Sequence, residues 1–244
     1  MTRASSENQP AGRRPGRIRI LVVLVVAFVA MAIAITGIAT QEPGAEFQDV
    51  AGAGDSQRIF GGVRQLEDRL GPDNAPVQIQ YFADVQNSTY RDQFLDTIPA
   101  VVDSYVRDGG VKLLLRNRSL SRNAQQISFY GVEAAALQNY GWQYAYLMVR
   151  NQEEAEQRRL DEKFLETLAE AIPNLDPLIW RDDFEEGQDP DSAMTESLID
   201  QDKLAIQLEI RDAPAFLVTG PNGTEILQDG PDLSQLELAI AEVR

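Results

Sequence analysis

The chain has no cysteine and no histidine in 244 residues. Without cysteine it can form no disulfide and offer no thiolate, so thiol–disulfide exchange is closed to its own atoms. Without histidine it lacks the commonest general base, the commonest transition-metal ligand and any Ser-His-Asp triad. Basic charge is scarce as well. Residues 1–40 hold five arginines (Arg3, Arg13, Arg14, Arg17, Arg19) against one acid, Glu7, which leaves 17 basic and 37 acidic side chains over residues 41–244, a net charge of −20. Phosphate backbones repel so acidic a segment and it gains nothing from counterion release, which argues against nucleic acid as a partner.

One long apolar run is present. Ile20 to Ala39 carries no charge over twenty residues. As a helix rising 1.5 Å per residue it spans about 30 Å, the thickness of a bilayer's hydrocarbon core. Four arginines precede it directly and none follows until Arg58, so the positive-inside rule puts the short tail in the cytoplasm and the acidic remainder outside. The segments expected are a cytoplasmic basic tail at 1–19, a transmembrane signal anchor at 20–40, a flexible acidic linker at 41–57 and a folded domain at 58–244, on the outer side of the cytoplasmic membrane. A cleaved signal peptide is the other reading. Gly37-Ile38-Ala39 offers small residues for cleavage, but the run exceeds the roughly 7–15 residues of an ordinary signal core.

Within the domain, Val77, Ile79 and Tyr81 alternate with Gln78 and Gln80, the period of a strand. From Tyr90 the apolar spacing turns helical through Phe94, Ile98, Val101 and Tyr105. Pro99 predicts a kink, and Gly109-Gly110 a stop. Val111 to Arg116 reads as a buried strand, giving a strand–helix–strand unit with a parallel pair. Residues 123–207 read as mostly helical. A strand from Ala213, an Asn222-Gly223 turn, a returning strand and a closing helix through Leu236 and Ile240 end the chain.

The segment Pro76 to Gln86, ending Phe82-Ala83-Asp84-Val85-Gln86 before a helix, resembles the strand-to-helix turn of the DsbA-like thioredoxin family. Leu70-Gly71-Pro72-Asp73-Asn74-Ala75-Pro76 resembles that family's lead-in. The resemblance covers roughly 59–228 and implies an α/β thioredoxin-like fold with a helical insertion at about 123–207. Where the family has Cys-Pro-x-Cys, this chain reads Asn87-Ser88-Thr89-Tyr90. Asp212-Ala213-Pro214-Ala215-Phe216 falls where the family has a cis-proline motif lining its groove for an extended client. The resemblance therefore implies four degenerate active-site positions, Asn87, Ser88, Thr89 and Tyr90, beside a groove at Ala213 and Pro214.

Other clusters have plainer readings. Asn87, Ser88 or Thr89 can simply cap a helix. Arg116, Arg118 and Arg122 form a basic group that suits carboxylate partners, or a solvated loop. The acids from Asp182 to Asp191 lack the ligand spacing of an EF-hand. No cofactor and no metal is expected. The functional expectation is a redox-inactive, non-enzymatic, membrane-anchored module that binds protein partners in or at the membrane, as an accessory subunit or a holdase. The alternative is a member of the oxidoreductase family whose activity is lost or supplied by a partner.

Overall fold

The structure is a computed structural model in which residues 50–118, 127–153, 160–211 and 213–244 are described. The basic tail, the 20–40 segment and the linker up to residue 49 lie outside the described residues. Among the described residues no helix is long and apolar enough to cross a membrane. Ala53–Phe60 is a helix (α1) whose Ile59 and Phe60 are buried. This corrects the linker's expected end at residue 57: Gly, Ala and acid content groups positions 53–57 with the linker, but the buried pair at the helix's end holds them to the domain.

The alternating segment forms the central strand, β3 (Val77–Ala83), with Val77, Ile79 and Tyr81 buried on one face and Phe82 on the other. Two short strands precede it, β1 (Gln65–Leu66) and β2 (Arg69–Leu70), and three follow, β4 (Val111–Asn117), β5 (Ala215–Gly220) and β6 (Gly223–Leu227). The sheet order is β1-β2-β4-β3-β5-β6. β3 runs parallel to β4, from Val77↔Val111 to Ala83↔Asn117, and antiparallel to β5, with Tyr81 opposite Phe216. A parallel pair needs a crossover, here helix α2 (Arg91–Val101). Pro99 lies inside α2, and the next turn, Val102–Val106, widens to a π-turn in which the Arg107 N–H reaches Val102 O at 3.0 Å. A proline supplies no N–H to the helical ladder, and π-turns are one way a helix absorbs such an interruption. Gly109, at φ 81°, then reverses the chain as its pattern predicts.

Helices α3 (Ile127–Leu137), α4 (Gly141–Arg150), α5 (Glu162–Glu170), α6 (Pro177–Gly187) and α7 (Ala193–Gln207) stand between β4 and β5. They supply the insertion that the resemblance implies. The sequence pattern hides α6, because its acids, Asp182, Asp183, Glu185 and Glu186, mask a buried stripe of Trp180 and Phe184. A last helix, α8 (Leu233–Val243), opens with a capping box between Asp232 and Gln235.

Aromatic rings fill the core on one side of the sheet. The Tyr81 ring stacks on Phe216 with centroids 4.7 Å apart and lies 6.5 Å from Trp142. On the other side, Phe82, Ala215 and Leu217 pack against Ala205 of α7 and Ile210. The insertion has its own packing centre, where Trp180 Nε1 donates to Gly131 O (2.9 Å) and the Tyr144 hydroxyl donates to Leu165 O (2.9 Å). A Cβ at Gly131 would lie 2.8 Å from the Tyr144 hydroxyl oxygen. Gly131→Ala is therefore expected to cost about 1–3 kcal/mol by overpacking. The midpoint of denaturant unfolding should fall with an unchanged m-value; an unmoved midpoint would contradict the close contact.

Candidate functional site

β3 delivers Asp84 to the start of a tight turn, where the Asn87 N–H donates to Asp84 O (3.0 Å) and the Gln86 N–H to the Asp84 carboxylate (3.0 Å). Asn87, at φ −80° and ψ 101°, accepts the Thr89 N–H on its side-chain oxygen at 3.0 Å. It caps a 3-10 turn, Ser88–Tyr90, that runs directly into α2. The free N–H groups and positive dipole end that could stabilise an anion at such a terminus are thus partly spent on an asparagine side chain. Ser88 and Thr89 are exposed.

The turn is fastened from below and from the side. Gln152 Nε2 donates to Val85 O (2.8 Å), and Gln86 Nε2 donates to the Ser128 hydroxyl. Arg91 extends its guanidinium from the first turn of α2 to Glu153 (2.9 Å) and Arg150 O (3.2 Å) at the end of α4. Val85 and Gln86 belong to the motif read from the sequence, but Ser128, Arg150, Gln152 and Glu153, which hold the turn from the other side, carry no motif that sequence reading could have singled out.

The Ala213–Pro214 peptide bond is cis. Pro214 and Asn87, 127 positions apart in the sequence, line one small cavity together with Tyr81, Asp84, Arg91 and Gln152. The volume is about 10 Å³, the size of a single water. Beneath the turn there is room for no more than a water, and Ser88 and Thr89 face outward. Burial pushes the Tyr81 phenol well above its ordinary pKa, so it remains a neutral hydroxyl.

The remaining sequence candidates are taken up elsewhere. Arg116 pairs with Asp68 and donates from Nε to Gln80 (2.9 Å), and Arg118 pairs with Asp202. Their carboxylate partners are therefore internal, tying β4 to the β1–β2 turn and to α7; Arg122 lies outside the described residues. Asp182, Asp183, Glu185 and Glu186 lie on α6, and among the described residues no three metal-ligating side chains come together. Burial, followed by Glu186 and Asp182, raises the Asp183 pKa.

Sequence reading missed a second polar centre. Glu133 Oε1 accepts hydrogen bonds from Asn117 Nδ2 (2.7 Å) and Gln201 Nε2 (2.9 Å), while Gln201 Oε1 accepts the Asn117 N–H (2.7 Å). The network joins the end of β4 to α3 and α7. Its one sequence signal is a lone acid in the otherwise apolar run Val132-Glu133-Ala134-Ala135-Ala136. Burial raises the Glu133 pKa above its ordinary 4.5, opposed by the two amide donors, raised further by Asp68 and lowered by Arg116.

Two outcomes follow from this geometry. Asn87→Ala should cost about 1 kcal/mol as a lost cap, whereas Asn87→Asp should retain the stability; equal losses in equilibrium unfolding would assign Asn87 no capping role. A carboxyl with a raised folded pKa binds its proton more tightly folded than unfolded, so its contribution to stability falls as pH rises above 4.5 through the folded pKa. Stability measured against pH should shift in favour of Glu133→Gln, relative to the parent, as pH increases across that window. A difference independent of pH would contradict the buried acid.

No protein-family model and no curated protein matches the sequence. Solved structures do match the fold. Oxidised BdbD from Bacillus subtilis superposes with a TM-score of 0.61 at 16% identity, over 74% of this chain and 96% of its own. DsbA from Chlamydia trachomatis gives 0.61 at 16% identity, over 72% and 91%. A thioredoxin-like oxidoreductase from Silicibacter pomeroyi gives 0.53 at 18%, over 77% and 95%. These neighbours correct the expectation, drawn from the missing cysteines, that the chain is not an enzyme. The fold is that of DsbA-type oxidoreductases, and lacking cysteine removes this chain's own dithiol without deciding its activity. The domain is a DsbA-like thioredoxin fold that carries no cysteine.

Proposed function

We propose that the chain is a diverged member of the DsbA-like oxidoreductase class that engages an extended polypeptide at the face shared by Asn87–Tyr90 and Ala213-Pro214. Any sulfur for an exchange step then comes from a partner or client. The observation that carries this reading is the shared wall: the degenerate turn and the proline border the same water-sized cavity at the end of β3. An extended client can pair by main-chain hydrogen bonds, which require no reactive side chain. The exposed Ser88 and Thr89 give that surface small polar groups instead of thiols. We further propose that residues 20–39 anchor the chain in the cytoplasmic membrane with the domain on the outer face, on the strength of the uncharged run and its arginine flank.

A photo-crosslinking amino acid at Thr89, in cells, should capture extracytoplasmic polypeptides that the same group at Glu185 on α6 does not. Adding Ser88→Arg should weaken the capture several-fold. The single substitution Asn87→Cys should trap the same polypeptides as mixed disulfides: its thiolate, favoured at a helix N-terminus, attacks a client disulfide and displaces one client sulfur as thiolate, and with no second cysteine in the chain the mixed disulfide is not resolved. Identical capture from both crosslinking positions, or mixed disulfides with an unrelated set, would sink the reading.

A further inference from the structure

Two buried polar atoms beside the turn meet no protein partner. Gln152 is 2% exposed, and its Nε2 donates to Val85 O, which fixes the orientation of the amide and turns Oε1 away from that carbonyl. Among the described residues this Oε1 is buried and accepts no hydrogen bond. Arg91 spends its two terminal nitrogens on Glu153 and Arg150 O, while its Nε is buried and donates to no described residue. A buried donor or acceptor without a partner forfeits the hydrogen bond it made with water in the unfolded chain, and native proteins rarely tolerate that loss.

Both residues border the cavity of about 10 Å³ beneath the turn. The two atoms are of opposite kind, an N–H that must donate and a carbonyl oxygen that must accept. A cation there would face the Arg91 guanidinium, and an anion the carboxylate of Asp84, which borders the same space. Like-charge contact at low dielectric disfavours both. A neutral molecule that accepts on one side and donates on the other fits, and the volume is that of one water sphere. Asp84 supplies an acceptor for a second proton. We propose that one internal water occupies this cavity, accepting from Arg91 Nε–H and donating to Gln152 Oε1. It closes the support of the turn into one chain of bonds, from Val85 O through Gln152, the water and Arg91 to Arg150 O at the end of α4. Gln152 is then a positioning residue that acts on the first turn of α2 through the water. The water lies inside the turn and is independent of whether the outer face engages a client.

The test uses the full chain in mild detergent, with methyl-labelled alanine and valine, and reads NOE and ROE cross-peaks to water. Ala83 and Val149, each 2% exposed, border the cavity, and their methyl protons do not exchange with solvent. Both should show water cross-peaks of opposite sign in the two spectra, the signature of a water held far longer than one at the surface. Val218, 0% exposed and away from the cavity lining, should show none. Val149→Ile adds a methylene to the wall, leaves Arg91 and Gln152 in place, and should abolish the cross-peak at Ala83. Gln152→Met keeps the side-chain length without the acceptor and should weaken that cross-peak several-fold; circular dichroism checks that each variant is folded. Absence of the cross-peaks at Ala83 and Val149 in the parent chain would overturn the proposal, whatever the variants do. A cross-peak undiminished in Gln152→Met would overturn it as well, since other groups would then hold the water and Gln152 would position nothing.

Discussion

The stack of Tyr81 on Phe216 is the contact on which the placement of the site depends. It joins the face of β3 to the face of β5 across an antiparallel pair in which these two residues are directly opposed. Such cross-strand aromatic pairs contribute about 0.2–1 kcal/mol beyond their neighbours, a modest energy. Their geometric effect is larger, because side-chain period two means that a one-residue slip would turn both rings to the wrong face. With that register fixed, the chain leaving β3 at Asp84 and the chain entering β5 at Pro214 reach the same end of the sheet. Trp142 then backs Tyr81 from α4, so the insertion presses on the same ring.

From that anchor the turn inherits a defined shape and a changed chemistry. A helix N-terminus pointing out of a sheet end is suited to hold negative charge, and the DsbA-like resemblance implies a thiolate there. Here Asn87 turns its own side chain onto the Thr89 N–H, and the polar surface left outside consists of short hydroxyls. The cavity below is too small for anything beyond a water. The reading proposed for this end therefore places contact on the outer surface, with any reactive atoms brought by another molecule. Arg91 and Gln152 keep the surface rigid by tying it to α4 and to Val85.

The domain's acidity has two structural expressions. Most acids lie at the surface, and the best-placed arginines are drawn inward as internal partners, Arg116 to Asp68 and Arg118 to Asp202. Half-buried pairs of this kind fix the position of one element against another more than they add stability. Glu133 is the exception, an acid in an apolar helix face held by amides instead of a cation. Its raised pKa is a consequence of its burial.

The sequence by itself determined the central strand, the crossover helix with its proline, the parallel partner strand, the Asn-Gly hairpin and the absence of any thiol. Each rests on local periodicity, on a turn residue or on composition, which need no knowledge of distant neighbours. It did not reveal α6, because the solvated acids on one face outnumber the buried Trp180 and Phe184 on the other. Nor did it reveal α1, because Gly and Ala near a linker carry no distinct pattern and only Ile59 and Phe60 find the core. The tertiary structure alone decided which polar residues work together. Asn87 and Pro214 are 127 positions apart, and Glu133, Asn117 and Gln201 come from two helices and a strand end. Hydrogen bonds between such residues depend on where the backbone folds back, and no spacing rule along the chain encodes that distance.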